Sequence, residues 1–236
     1  MSFSDPPGGD RPPIDSKSLK GKTAAELFPS DGKGISPYHP RQLLDIFVAP
    51  RDFFIAGATL GKSLNCTLAA WLMGFVALFY VVLGDTFLTM EGEASQLPPE
   101  LLQSWAQLWT TLLVGGAIVG VFVWVVGGWW FQMRVLLSGA PKPDLRLSRL
   151  VFVYAGLARS LPPLIMLVLW TLRYPNYAAV PTREVFIGAT LCLVFAFGEL
   201  TSAYVGVNTL FRVDGVRSLI WFIVGPAAWY VISLGL

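Results

Sequence analysis

The sequence predicts an all-α polytopic membrane protein: a bundle of five transmembrane helices with a disordered N-terminal tail and a juxtamembrane amphipathic helix. Five stretches are apolar over about the 20 residues that a helix needs to cross a hydrocarbon core. Hydrophobic residues make up 54% of the 236 residues, and charged residues only 14%. The stretches do not alternate polar with apolar residues, as the strands of a membrane barrel would. Helical spans are therefore expected.

Residues 1–40 are predicted to form a flexible cytoplasmic tail. They hold seven of the 17 prolines of the chain. Such a segment buries too little apolar surface to offset its ordering entropy. It has no apolar h-region near its start, so it does not resemble a signal peptide. A short apolar island at 24–28 contains Leu27 and Phe28. We interpret it first as a residual hydrophobic cluster, and the sharper hypothesis is a docking motif that orders on a partner.

Residues 41–61 are predicted to form an interfacial amphipathic segment. Apolar residues recur there at helical spacing before and after Pro50, which favours two short helices meeting at that proline. An amphipathic helix beside a span is expected to lie in the membrane interface, and packing on a partner subunit is the alternative. The apolar residues expected to contact the interface or a partner are Leu43, Leu44, Phe47, Phe53 and Phe54.

The five predicted spans lie within residues 62–236. They cover residues 64–83, 108–131, 150–172, 185–207 and 219–236. Loops on one side of these spans, with the segment before the first span, hold nine Lys and Arg residues, and the loops on the other side hold two. Because basic residues favour the cytoplasmic side, the N-terminus is expected in the cytoplasm. The odd number of spans then places the C-terminus on the exoplasmic side.

Two opposite charges, Arg159 and Glu199, are expected near the middle of consecutive antiparallel spans. Each lies about 15–20 Å from the cytoplasmic side at 1.5 Å per residue. A lone charge at that depth costs at least about 2.5–3.5 kcal/mol on insertion scales, so the two are predicted to pair. We interpret the pair as a structural one that fixes helix register. The alternatives are a proton or ion relay, and a contact to a partner or to lipid.

Pro162 and Pro163 follow Arg159 in the third span. They cannot donate hydrogen bonds to the carbonyls of Ala158 and Arg159, so the helix is expected to kink or unwind there. Transporters use broken helices of this kind at substrate sites. A repeat-built transporter should show a corresponding second break, and the sequence shows none.

Small residues spaced four apart mark expected close contacts between helices. Gly116 and Gly120 form one such set in the second span. Gly198, Ser202 and Gly206 form another in the fourth. Packing within the bundle is the primary interpretation, and a homo-oligomeric face is the alternative.

The residue inventory argues against several functions. A net charge of +2 without a basic aromatic surface does not favour nucleic-acid binding. His39 is the single histidine, and no paired catalytic residues, phosphate-binding glycine loop or metal-ligand motif occurs. We therefore expect a non-enzyme without catalytic residues, metal or cofactor.

The layout resembles the bacterial branch of the Yip family of small polytopic membrane proteins. The resemblance rests on a Pro-Arg-x-Phe-Phe-like element at 50–54, a Gly/Pro-containing turn at 138–143 and the proline-bearing third span. It implies a five-helix fold with a cytoplasmic tail, placed in a bacterial inner membrane. Eukaryotic members carry an Asp-Leu-Tyr-Gly-Pro signature that this chain lacks, so their link to small GTPases is not carried over.

The function expected from these features is a non-catalytic membrane scaffold or accessory subunit. Its partners would be the lipid bilayer and other membrane-protein subunits, with the tail as the docking segment. The alternative is a small-solute or ion transporter that uses Arg159, Glu199 and the break at Pro162–Pro163.

Overall fold

The computed structural model describes residues 40–58, 63–90 and 92–233. Within these ranges every regular element is helical, and there is no strand. Four helices are long and apolar enough to cross a membrane, judged by length and composition. Their candidate spans are Cys66–Met90, Trp105–Leu137, Leu145–Arg173 and Thr182–Leu210. The described part of the chain is all-helical, and its four long helices suit a lipid bilayer.

Two short helices precede the first candidate span. They are α1 (Pro40–Val48) and α2 (Pro50–Ala58), with Ala49 between them. Each begins with proline, which is well tolerated at the first helical position because its missing N–H would have no partner there. The predicted docking residues Leu27 and Phe28 lie outside the described residues.

The long helices follow in antiparallel order. Helix α3 covers Ser63–Met90, and the short α4 covers Pro99–Gln103. The second span consists of α5 (Trp105–Phe122), a π-helical turn (Val123–Gly127) and α6 (Gly128–Leu137). Helix α7 covers Leu145–Arg173, a 3-10 turn covers Tyr177–Ala179, and α8 covers Thr182–Leu210.

The fifth predicted span is not among the four candidate spans. A π-helical turn (Ile220–Val224) divides its helical part into α9 (Gly215–Leu219) and α10 (Gly225–Ser233). Together the three elements cover residues 215–233, slightly fewer than the roughly 20 residues that a span needs. Residues 234–236 lie outside the described residues.

Hydrogen bonds between loops define the two ends of the bundle. The backbone N–H of Asp214 donates to the carbonyl of Ser138 (2.9 Å), which joins the α6–α7 loop to the α8–α9 loop. We call the end with loops 138–144 and 211–214 the basic end. At the opposite end, the indole N–H of Trp105 donates to the carbonyl of Tyr174 (2.7 Å). One of these hydrogen bonds therefore connects neighbouring segments at each end of the bundle.

Helices α3 and α5 are in close backbone contact through glycines. A Cβ atom on Gly74 would collide with the backbone of Gly116 and Gly120. A Cβ on Gly116 would lie 2.8 Å from Cα of Phe75, and one on Gly120 would lie 2.9 Å from the carbonyl oxygen of Ala70. Both glycines singled out in the second span therefore lie at a helix–helix contact.

The three small residues singled out in α8 have different surroundings. A Cβ on Gly206 would lie 2.8 Å from the ring of Phe54, and the hydroxyl of Ser202 donates to the carbonyl of Ile46 (3.0 Å). A Cβ on Gly198 would have nothing within 4 Å. The expectation of a close contact within the bundle at Gly198 is therefore wrong. Gly206 and Ser202 contact the α1–α2 pair, whereas the position of Gly198 on α8 is open.

Helix α7 is continuous through Pro162 and Pro163. The predicted unwinding of the third span is therefore wrong. Pro163 is buried, and α3 and α8 both pack along α7. Packing on both sides maintains the helical path even though the prolines remove two backbone donors.

Candidate functional site

Arg159 and Glu199 lie together inside the bundle. Nη1 of Arg159 is 3.6 Å from Oε2 of Glu199, and the Glu199 side chain is only 13% exposed. Arg159 stands midway along α7, and Glu199 stands on the adjacent α8. The depth argument from the sequence and the observed geometry therefore agree on which charges meet. At 3.6 Å the contact is an ion pair without a hydrogen bond between the same atoms.

Two tyrosines complete the surroundings of Arg159, and the sequence analysis did not single them out. Nη1 of Arg159 donates to the hydroxyl of Tyr230 (3.3 Å), and Cζ lies 4.6 Å from the centre of the Tyr80 ring. The guanidinium thus connects α3, α7, α8 and α10. A phenol inside an apolar span was the signal available in the sequence, because its hydroxyl requires a polar partner in lipid.

Polar atoms remain unsatisfied around this pair. Oε2 of Glu199 and the hydroxyl of Tyr80 are buried, and neither has a hydrogen-bond partner among the described residues. An unsatisfied buried polar atom is costly, and ordered water commonly satisfies such atoms when there is space. The geometry therefore leaves room for a small polar species beside the ion pair.

Two cavities lie beside the ion pair and extend from it in opposite directions along the bundle. A cavity of about 680 Å³ extends from Arg159 past Tyr80 and Cys192 to Phe87 and Phe186, towards the opposite end. A smaller cavity of about 180 Å³ contains Glu199 and Arg159 and extends past Phe152, towards the basic end. Arg159 lines both cavities, and Glu199 lines only the smaller one.

A second arginine lies inside a candidate span, near the basic end. Nε and Nη2 of Arg134 both donate to the carbonyl oxygen of Trp221, at 2.9 and 2.6 Å. Cζ of Arg134 lies 4.3 Å from the centre of the Phe222 ring. The sequence analysis counted Arg134 as a loop residue, whereas the structure places it in α6, inside the span Trp105–Leu137.

The Trp221 carbonyl has no donor from its own helix. In the π-helical turn the N–H of Gly225 donates to the carbonyl of Ile220. The next residue, Pro226, has no N–H to donate to Trp221. Arg134 therefore supplies the missing donor, which a carbonyl in an apolar environment requires. Pro226 was the signal in the sequence, since a proline in a span removes a donor that a neighbouring helix can replace.

The predicted interfacial residues divide into two groups. Phe53 and Phe54 are buried in the bundle, so the expectation that they contact the interface or a partner is wrong for these two. Their rings instead pack edge to face, and Phe53 also packs against Tyr154. By contrast, Leu44 and Phe47 are 63% and 39% exposed. With Leu43 they line a groove of about 840 Å³ between α7 and α8.

A polar cluster lies at the opposite end of the bundle, where Arg173 is the last residue of one candidate span and Glu184 is the third residue of the next. Arg173 Nη1 lies 3.0 Å from Oε1 of Glu184, which also accepts a hydrogen bond from the Tyr174 hydroxyl (2.7 Å). That hydrogen bond raises the pKa of Tyr174. Burial raises the pKa of Tyr177 to about 12. These contacts fasten the α7–α8 loop.

Metal-ligating side chains are not clustered in the part of the chain that the structure describes, where no group of three or more His, Cys, Asp or Glu could hold an ion. Cys66 and Cys192 are both buried free thiols.

Comparisons with models of known protein families, with curated proteins and with solved structures give no match.

Proposed function

We propose that this protein is a non-catalytic membrane scaffold or accessory subunit whose bundle holds the N-terminal segment for docking to other membrane or peripheral proteins. The observation that carries this proposal is the way α1 and α2 are built into the bundle. Phe54 is fully buried, and the Ser202 hydroxyl bonds to the backbone of α1. A segment attached through a buried helix pair emerges from a fixed position, which lowers the entropy lost on binding a partner.

The proposed assembly has five spans, with the N-terminus in the cytoplasm of a bacterial inner membrane. Two contacts support a fifth span: Arg134 bonds to Trp221, and Arg159 bonds to Tyr230. Both join the 215–233 segment to helices that are candidate spans. The distribution of basic residues supports the orientation. The Yip-like layout is part of the same proposal, as is an interfacial position for the exposed apolar face of α1.

The proposal is tested with two matched glycine variants in the same helix. Gly206→Leu should displace Phe54 and detach α2 from the bundle, whereas Gly198→Leu places its side chain in open space. Each full-length variant is purified from native membranes in mild detergent, and the proteins that remain bound are quantified by mass spectrometry. We expect a stoichiometric companion set with the native chain and with Gly198→Leu, and its loss with Gly206→Leu.

Deleting residues 1–39 removes the proposed docking segment and leaves α1 and α2 in the bundle. The shortened chain should elute as a monodisperse species and should lose the same companions. Companions that persist after the deletion would contradict the docking role of the N-terminal segment. Recovery of the native chain alone would contradict the scaffold proposal.

The two cavities that meet at Arg159 favour a second candidate, a small-solute or ion transporter. In that case the ion pair would have to open during each cycle, and the unsatisfied oxygen of Glu199 would accept the proton or cation. Proton flux into liposomes that contain a pH dye tests this candidate. Arg159→Met combined with Glu199→Leu should abolish flux if the pair is functional. Unchanged flux in the well-folded double variant would exclude this mechanism.

A further inference from the structure

A groove on the lipid-facing side of the bundle lies between α6 and the 215–233 segment. Its volume is about 410 Å³, and it is lined by Trp130, Arg134, Trp221, Gly225, Pro226 and Trp229. It is separate from both cavities around Arg159. Its composition is unusual for a lipid-facing surface, because it combines three indole rings with a guanidinium.

Arg134 has no ion-pair partner among the described residues, although the Glu199 carboxylate acts on its charge at longer range. Among the described residues, the ion pairs are Arg159 with Glu199 and Arg173 with Glu184, and neither includes Arg134. Two of its nitrogen atoms donate to the Trp221 carbonyl, which is polar but uncharged. Nη1 makes no hydrogen bond within the described part of the chain, and a guanidinium has five N–H groups to donate. A cation at this depth favours an anionic partner.

The polar and apolar ends of the groove are ordered along the bundle axis. Arg134 lies three residues from the basic end of α6, and Trp221 lies six residues after the start of α9. Trp130 is one turn deeper than Arg134, about 6 Å at 1.5 Å per residue. Trp229 is eight residues beyond Trp221, about 12 Å deeper by the same rise. Between the indoles, Gly225 and Pro226 present little side chain and leave an apolar channel.

This order matches a phospholipid and not a molecule whose polar group lies at the bilayer centre. A phospholipid places its phosphate at the membrane surface and its acyl chains towards the middle. Guanidinium binds phosphate through charge-assisted hydrogen bonds, and indole rings prefer the level of the headgroups and upper chains. We propose that this groove binds one anionic phospholipid of the leaflet at the basic end, with its phosphate on Arg134 and an acyl chain between Trp130 and Trp229.

The test uses the full-length protein in mild detergent, titrated with palmitoyl-oleoyl phosphatidylglycerol or palmitoyl-oleoyl phosphatidylcholine. Native mass spectrometry counts the lipids bound per chain. We expect one phosphatidylglycerol to bind about tenfold more tightly than phosphatidylcholine, since both offer a phosphate but the choline ammonium of phosphatidylcholine cancels its charge and is repelled by Arg134. Arg134→Met should remove that preference. Arg217→Gln changes an exposed arginine at the same end that does not line the groove, and it should leave the preference within about twofold, because water screens an exposed charge.

Further variants keep the test decisive if Arg134→Met does not fold. Arg134→Lys retains the charge and should retain the preference for phosphatidylglycerol. Trp229→Leu leaves the charge in place and should weaken binding of both lipids. Equal binding of the two lipids by the native protein would overturn the proposal. So would a preference lost as fully in Arg217→Gln as in Arg134→Met, because the selectivity would then come from overall charge.

Discussion

Arg159 and Arg134 both lie inside candidate spans, but their surroundings differ. Arg159 faces a carboxylate, two phenols and two cavities near the middle of the bundle. Arg134 lies near the basic end and bonds to a backbone carbonyl exposed by a π turn and a proline. The first arginine is compensated by an opposite charge in an ion pair, and the second by a carbonyl dipole and the face of the Phe222 ring. The difference indicates that Arg159 connects helices internally, whereas Arg134 retains charge for a partner outside the chain.

The largest expected effect comes from removing the carboxylate. Glu199→Leu leaves the Arg159 guanidinium without an opposite charge, which should lower the free energy of unfolding by about 3 kcal/mol. The double variant with Arg159→Met should recover most of that loss, because no unpaired charge remains. Denaturant titration in micelles measures both. Equal stability of Glu199→Leu and the native protein would show that the pair is not structurally important.

Removing the second arginine should have a smaller effect. Arg134→Met leaves the Trp221 carbonyl without a donor, and an unsatisfied buried acceptor costs about 1–3 kcal/mol. Arg134→Lys should lose less, since an ammonium can still donate one hydrogen bond to that oxygen. The same titration in lipid-free micelles measures both variants. A larger loss for lysine than for methionine would contradict the donor role.

Restoring the missing backbone donor should reduce the contribution of Arg134 to the free energy of unfolding. Pro226→Ala returns an N–H to the helix beside the Trp221 and Phe222 carbonyls. In a double-variant cycle, Arg134→Met should therefore be less destabilising in the Pro226→Ala background, by about 1 kcal/mol. Strict additivity of the two changes would show that the proline and the arginine act independently.

The smallest effect is expected for the ion pair at the ends of the spans. Arg173 and Glu184 are closer together than Arg159 and Glu199, at 3.0 Å against 3.6 Å. Nevertheless, Glu184→Gln should lower the free energy of unfolding by only about 0.5 kcal/mol, because water screens exposed pairs. Added salt should reduce this difference further. A loss as large as that of Glu199→Leu would mean that distance, and not the surrounding medium, sets the strength of these pairs.

The surroundings of Arg159 show which parts of the site could be predicted from the sequence. Opposite charges on consecutive spans predict the Arg159–Glu199 contact, since helix rise fixes depth and lone charges are unfavourable in lipid. Tyr80 and Tyr230 were not predicted, because their position around the helix axis depends on how four helices pack. A kink or an unwinding was expected at Pro162 and Pro163, and the unwinding did not occur, because packing by α3 and α8 maintained the helix.

By itself, the amino-acid sequence determined that the chain is helical, that its helices suit a bilayer and that Arg159 requires an opposite charge. These properties depend on hydrophobicity and rise along single helices, so they can be read locally. Only the tertiary structure placed Phe53 and Phe54 in the core and separated Gly206 from Gly198. Only the tertiary structure also showed that Arg134 donates a hydrogen bond to the Trp221 carbonyl. Those outcomes depend on which faces of distant helices meet, and that choice is made by the packing of the whole bundle.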